Sequence, residues 1–151
     1  MSTLKINDLS VGDWVRCRGR NGRIECLDAI RDYERIRVAV ESYLGTMYQF
    51  VGIEDIEPIP ITAEILEKIG WRIIEKEALG EDYEYDGDER VWDNDNNKID
   101  ICEQKQGEFW HSYRSEYYLY RLYYVHQLQH LMRLYGVEEE IKFKVNLIST
   151  T

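Results

Sequence analysis

The sequence has few of the residues that usually carry catalytic or metal chemistry. It contains three cysteines and three histidines in 151 residues. The cysteines at positions 17, 26 and 102 form no CxxC pair, and their odd number is typical of reduced, mostly buried thiols. The chain has no phosphate-binding loop, no Ser-His-Asp order and no paired-carboxylate motif. We therefore predict a non-enzymatic protein without a cofactor.

Long apolar runs are also missing, which argues against a membrane span. The segment Met1–Asp8 lacks the apolar core of a signal peptide. We expect a cytoplasmic protein of a bacterial host cell with no membrane partner. The 44% of hydrophobic residues is enough for a sizeable core, although 32% of the residues are charged.

The net charge of -10 comes from the middle of the chain. Residues 51–110 carry 18 acidic and 6 basic side chains, whereas the segments on either side each have a net charge of +1. Such an excess disfavours general attraction to nucleic acid. A protein partner is therefore expected, with nucleic acid kept open for a local basic patch. The sequence does not indicate an oligomeric state.

The clearest turn signal is Asn21-Gly22, a pair that accepts the positive φ angles of a two-residue hairpin turn. It predicts strands over 13–20 and 23–30, with Cys17 facing Cys26. Such a pair would suit a redox switch or half of a metal site. Packing of two small buried side chains is favoured, because cytosolic disulfides are uncommon.

Further short strands are predicted in the first third. The alternation over Arg35–Glu41 directs Ile36, Val38 and Val40 inward. A fourth strand covers Met47–Phe50, a tight or 3₁₀ turn follows, and Pro58 favours an edge position for the last strand. Five strands in residues 1–61 resemble a small SH3-like barrel. Such barrels bind peptides, nucleic acids or partner domains.

The predicted hairpin also carries a candidate binding surface. It combines a tryptophan with a cluster of arginines: Trp14, Arg16, Arg18, Arg20 and Arg23. Cationic and aromatic side chains together suit a phosphate backbone or an acidic partner. The alternative, a solvated strand face with Arg18 opposite Glu25, is favoured because the acidic middle segment is able to neutralise the patch.

Residues 62–151 are predicted to form a second, α+β domain. Thr62 caps a helix that Gly70 ends, and helical spacing of apolar residues returns from Tyr124. The predicted elements are a helix over 62–70, strands over about 71–75, 90–93, 99–104, 108–114 and 117–123, a helix over 124–135 and a strand over 140–146. The expected fold is thus α+β, with a barrel followed by a short helix and an antiparallel sheet that packs against one C-terminal helix.

The acidic stretch Glu75–Glu89 is a second candidate binding segment, through Glu81, Asp82 and Glu84. Its charge would suit a cation or would mimic nucleic acid. A solvated loop is favoured, because runs of charge usually stay solvated. The turn at Asp93–Asn97 begins like an EF-hand loop, but Lys98 stands where the required glycine should be, so a hairpin turn is favoured.

The histidines offer an alternative metal site. His126 and His130 lie four residues apart in the predicted helix, so both are able to contact one ion, with His111 or an acidic side chain as a third ligand. Gln127 replaces the glutamate of a zincin motif. Two polar side chains on the outer face of a helix are the favoured interpretation.

Three segments carry a resemblance to a family: Ile56–Thr62, Ile69–Trp71 and above all Tyr124–Leu131. They resemble small proteins of uncharacterised function that are encoded by phages, prophages and mobile elements of gut anaerobes. The resemblance implies an accessory or counter-defence role and supplies no catalytic residues. The expected function is a non-enzymatic interaction module. The alternatives are a metal-dependent hydrolase that uses the histidines and a structural protein of a phage particle.

Overall fold

The computed structural model describes residues 4–30, 33–42, 44–74, 90–95, 98–104, 107–113, 118–137 and 141–143. The chain divides into two compact units. The first is built mainly from residues up to Ile59, and the second from residues beginning at Pro60. None of the described helices has the length and apolar character needed to cross a membrane.

The first unit contains one five-stranded antiparallel sheet. Its strands are β1 (Trp14–Cys17), β2 (Arg20–Ile30), β3 (Tyr33–Ser42), β4 (Gly45–Val51) and β5 (Ile56–Glu57). They lie in the order β4-β3-β2-β1-β5. A 3₁₀ turn at Ile53–Asp55 leads into β5, as the sequence predicts. Among the described residues β4 does not pair with β5, so the predicted SH3-like barrel is not closed.

The turn between β1 and β2 lies at Arg18-Gly19, so its predicted position at Asn21-Gly22 is wrong. Both turn residues have positive φ, 49° and 79°. Gly22 instead lies inside β2 opposite Val15. A Cβ atom added to Gly22 would come within 2.5 Å of Val38 Cγ1, so the residue is needed where two strands approach closely.

The predicted pairing of Cys17 with Cys26 is also wrong. Cys17 lies opposite Arg20, and Cys26 lies opposite Arg37 on β3. A bulge between Ile24 and Cys26 reverses the alternation of β2. The bulge directs Cys26 outward, so Cys26 is exposed, whereas Cys17 on β1 is buried in the core.

The core of this unit lies on one face of the sheet. Ile36, Val38 and Val40 are buried, as the alternation predicts. They belong to a single cluster of buried side chains: Leu9, Val15, Cys17, Ile24, Ile36, Val38, Val40, Val51 and Ile56. Because successive side chains of a strand alternate, Arg35 and Arg37 on β3 lie on the opposite face.

The second unit contains the other antiparallel sheet and most of the helical residues. Its elements are α1 (Ala63–Lys68), β6 (Arg72–Ile73), β7 (Arg90–Asp93), β8 (Ile99–Gln104), β9 (Glu108–Tyr113), β10 (Tyr118–Leu122) and α2 (Val125–Leu134). The sheet order is β10-β9-β8-β7-β6. The fold is therefore α+β, as predicted from the sequence.

The helices are shorter than predicted. The Thr62 hydroxyl accepts a hydrogen bond from the Ile65 N–H at 3.1 Å, but α1 covers only six residues. At the start of α2, Gln127 Oε1 accepts a hydrogen bond from the Tyr123 N–H at 2.9 Å. In the region of the predicted last strand, the described residues 141–143 are not in a strand, and the rest of that prediction lies outside the described residues.

The close approach at Gly22 gives the first prediction. We expect Gly22→Ala to destabilise the chain by about 1–3 kcal/mol, because its methyl group would overpack against Val38 and Val40. Gly19→Asn is the matched control, since Gly19 has open space around it and asparagine tolerates positive φ. Urea denaturation measures both. A Gly22→Ala variant as stable as the wild type would contradict this register.

Candidate functional site

The outer face of the first sheet carries two arginines stacked on two aromatic rings. Arg35 lies over the Phe50 ring at 4.1 Å, and Arg37 lies over the Tyr48 ring at 5.4 Å, measured from each guanidinium carbon to the ring centroid. We call these four residues the arginine–aromatic face. In the register Arg37 lies directly opposite Phe50, but it stacks on Tyr48. Each arginine therefore reaches diagonally from β3 to a ring on β4.

The aromatic rings of this face are largely exposed to solvent. Tyr48 is 59% exposed and Phe50 is 55% exposed. Met47 is 44% exposed, but it lies on the other face of β4, opposite Val40. The patch on the outer face therefore consists of the two rings, and exposed apolar patches mark interaction surfaces.

The two arginines have no acidic partner among the described residues. No described carboxylate lies within 4.0 Å of either guanidinium, and Arg37 Nε is buried without a hydrogen-bond partner in this set. Glu41 belongs to the same side of β3, but four residues from Arg37 it stands about 13 Å along the strand. On the neighbouring strand β2, Asp28 lies directly opposite Arg35 in the register, so the face combines two arginines with one acidic position.

Other stacked arginines in the described part of the chain differ in this respect. Arg121 lies 4.7 Å from the centroid of Tyr123, but it also pairs with Glu108 at 3.6 Å. Arg90 lies near the Trp92 ring, and it pairs with Glu103 at 2.6 Å. These arginines already have carboxylate partners, whereas neither Arg35 nor Arg37 forms an ion pair with a described carboxylate.

The predicted hairpin surface is only partly present, because its tryptophan is buried. Trp14 is only 6% exposed, and its ring packs edge-on against Phe143 at 4.9 Å. Arg18 lies in the turn, 4.0 Å from Asp55. The structure thus removes the tryptophan from the surface that the sequence assigns to it.

Of the remaining arginines of the predicted surface, Arg23 lies directly opposite Trp14, and Arg16 is on the same side of β1 as Trp14. Arg16 lies opposite Glu57 on β5. Arg23 donates a hydrogen bond from Nε to the Gly12 carbonyl oxygen at 3.3 Å. Arg20 is exposed and, by the alternation of β2, belongs to the other side of the sheet from Arg23. Glu81, Asp82 and Glu84 lie outside the described residues.

The predicted metal ligands do not form a cluster. In the part of the chain that the structure describes, no three His, Cys, Asp or Glu side chains are grouped so as to hold a metal ion. His126 is buried and stacks on Tyr124 at 5.7 Å, and His130 is partly exposed. Asp95, from the turn that resembles an EF-hand loop, forms an ion pair with Arg72 at 2.6 Å.

His111 is the most unusual polar residue of the second unit. It is completely buried, and its ring stacks on Tyr120 at a centroid distance of 5.4 Å. Its Nδ1 lies 3.3 Å from the Tyr120 carbonyl oxygen, which only accepts hydrogen bonds, so Nδ1 is the protonated nitrogen. Nε2 has no hydrogen-bond partner among the described residues.

Burial lowers the pKa of His111, because the imidazolium would lose its hydration, and the hydrogen bond to Tyr120 opposes this effect. A proton added at Nε2 would also lie in a buried position without a described acceptor. The neutral ring is therefore the form that suits the folded protein.

Comparison with known proteins does not identify a relative. No protein-family model matches the chain, and no curated protein and no solved structure matches it either.

Sequence reasoning missed the arginine–aromatic face, although part of its signal is visible. Arg35 and Arg37 are predicted to point away from the core, and Tyr48 and Phe50 lie two residues apart in a predicted strand. What the pattern does not show is which strand lies beside which. The pairing of β3 with β4 brings the two arginines next to the two aromatic rings.

The buried histidine makes stability depend on pH. Because the folded chain binds the His111 proton less readily than the unfolded chain, whose histidine has the ordinary pKa of 6.5, stability is lost as pH falls through and below that value. The slope contributed by one proton is at most about 1.4 kcal/mol per pH unit. We expect His111→Phe to flatten the change in unfolding free energy between pH 7.5 and 5.5. Equal slopes in this variant and the wild type would refute the assignment, and His130→Gln is the control.

The cysteines are expected to react at different rates. Cys26 is exposed, whereas Cys17 and Cys102 are buried. Burial raises the pKa of Cys17, an effect that Arg18 opposes and Asp55 reinforces, so little thiolate is present. A thiol-specific chromogenic reagent should modify one thiol quickly in the folded chain and all three after unfolding. Cys26→Ser should remove the fast phase, and a fast phase that survives this change would contradict the structure.

Proposed function

We propose that the chain is a non-enzymatic interaction module that binds a protein partner through the arginine–aromatic face. The observation that carries this proposal is the pair of arginines that stack on exposed aromatic rings. Arginine and aromatic side chains are enriched in the central, energetically dominant parts of protein interfaces. The binding surface thus moves from the predicted hairpin to β3 and β4.

The architecture of the first unit supports this proposal. The position of β1 between β2 and β5, and the 3₁₀ turn before β5, are features of an SH3-like arrangement, here with an open sheet. Small sheets of this kind usually bind through one face or edge. We also propose, from the resemblance of Tyr124–Leu131 and its neighbours, that the module serves a phage or mobile element as an accessory or counter-defence protein.

The alternative functions draw less support from the described residues. A hydrolase would need His111, His126 and His130 or other ligands to gather around a metal ion, and the described residues form no such group. A structural role in a phage particle would need extensive contacts between copies, which no described feature specifically favours.

Position-specific crosslinking in the native host tests the binding face. A photo-crosslinking amino acid at Tyr48 should form an adduct with one protein, because this position is exposed beside Arg37. The matched control is Tyr123, which is 49% exposed and also lies beneath an arginine, but one that is paired with Glu108. We expect adducts at Tyr48 and not at Tyr123.

The crosslinking experiment has two further arms. Arg35→Glu combined with Arg37→Glu should abolish the adduct at Tyr48, whereas Arg20→Glu makes a similar charge change on the other side of the sheet and should preserve it. Adducts at Tyr48 that are indifferent to the double variant would count against the proposal. Adducts that disappear on nuclease treatment would assign the face to nucleic acid instead.

A further inference from the structure

We propose that the ligand of the arginine–aromatic face is an acidic, extended segment of the partner protein. This segment would add as a strand beside β4 and place alternate carboxylates on Arg35 and Arg37. The inference rests on the proposed function and specifies the chemistry of its ligand.

The strand β4 forms one edge of the described sheet. β4 pairs with β3 on one side and with no other strand among the described residues. Its seven residues, Gly45–Val51, include no charged residue and no proline. Natural sheets usually protect an open edge with charges, proline or a bulge, because its backbone groups are ready to pair with another chain. An edge without these features suits strand addition.

The guanidinium groups of Arg35 and Arg37 lie within reach of a ligand beside β4. They belong to β3, but they lie over the rings of β4. An added strand would lie about 4.8 Å beyond β4, so a glutamate side chain on it is long enough to reach them. Arg35 and Arg37 are two residues apart, which matches the spacing of side chains on one face of an extended ligand.

The face of the ligand strand that points away from the arginines would lie next to Met47. Met47 lies opposite Val40, whose side chain belongs to the buried face of the sheet. Met47 is 44% exposed at the margin of this core. Alternate residues of an added strand would face Met47, so they should be apolar. The predicted ligand therefore alternates acidic and apolar residues.

Charge decides between this ligand and two other occupants. Single-stranded nucleic acid would meet the same arginines, but the chain as a whole carries a net charge of -10, which repels an extended polyanion. Antiparallel pairing of β4 with a second copy would bring the arginines of both copies to one face of the joined sheet. A short acidic strand carries fewer negative charges than an extended polyanion, so the net charge repels it less, and it brings no second set of arginines to the sheet.

The test uses the full-length chain and a labelled, end-blocked peptide, Glu-Val-Glu-Val-Glu-Val-Glu, with binding measured by fluorescence anisotropy. We expect the peptide to bind, and Arg35→Glu with Arg37→Glu to weaken binding by at least tenfold. The milder variant Arg35→Gln with Arg37→Gln should weaken it as well, and circular dichroism should show that both variants are folded. Arg20→Glu should change the affinity less than threefold. A matching peptide with lysine in place of glutamate should not bind.

Two N-methylated peptides test strand addition separately from charge. One carries N-methyl groups on the glutamates and the other on the valines. Only one of these sets of N–H groups faces β4 in an added strand, since successive backbone groups point to opposite edges. One methylated peptide should therefore lose at least tenfold in affinity and the other should bind normally. Equal binding of both would overturn strand addition.

Failure of the ligand assignment is distinguishable from failure of the proposed function. If the acidic peptide does not bind while Tyr48 still forms its arginine-dependent protein adduct, the face binds a protein of other chemistry and this inference is overturned. If a thymidine oligonucleotide binds through Arg35 and Arg37 and the peptide does not, the ligand is nucleic acid. Formation of a concentration-dependent dimer that excludes the peptide would assign the edge to a second copy.

Discussion

The close contact between Gly22 and β3 fixes the arrangement on which the rest of the first unit depends. With no side chain at this position, β2 is able to lie close against Val38 and Val40 in the observed register. That register sets the turn at Arg18-Gly19 and places Cys17 in the core. It also determines which side chains of β3 are left outside, and these include Arg35 and Arg37. A steric constraint in the core thus shapes the proposed binding face.

The strands of the first unit are largely predictable, but their pairing is not. The alternation of Ile36, Val38 and Val40 correctly indicates their burial, because a half-buried strand needs a period of two. The turn is mispredicted because Asn-Gly is a strong local signal, whereas the close approach of β3 to Gly22 depends on residues far away in the sequence. The bulge at Glu25 is likewise invisible in the local pattern, and it alone directs Cys26 outward.

The second unit shows a similar limit for its polar residues. The sequence pattern of a histidine in a strand next to aromatic residues fits an exposed metal ligand and a core residue equally well. The pairing of His111 with Ile101 decides the matter, because residues that lie opposite each other share one face of the sheet and Ile101 is fully buried. The candidate binding face has the same origin. Its four residues are ordinary in sequence, and they acquire their chemistry only when β3 and β4 lie side by side.

The stacking of Arg35 on Phe50 also affects what binding would cost. A free arginine side chain loses considerable rotational freedom when a ligand immobilises it, at a cost of about 0.5–1.5 kcal/mol. A guanidinium that already lies flat on a ring 4.1 Å away has lost part of that freedom in the unbound protein. Lysine has a compact ammonium group in place of the planar guanidinium, so it would not be held in the same way. The two positions therefore require arginine for its shape as well as its charge, and the unbound surface is already close to the form that a ligand would meet.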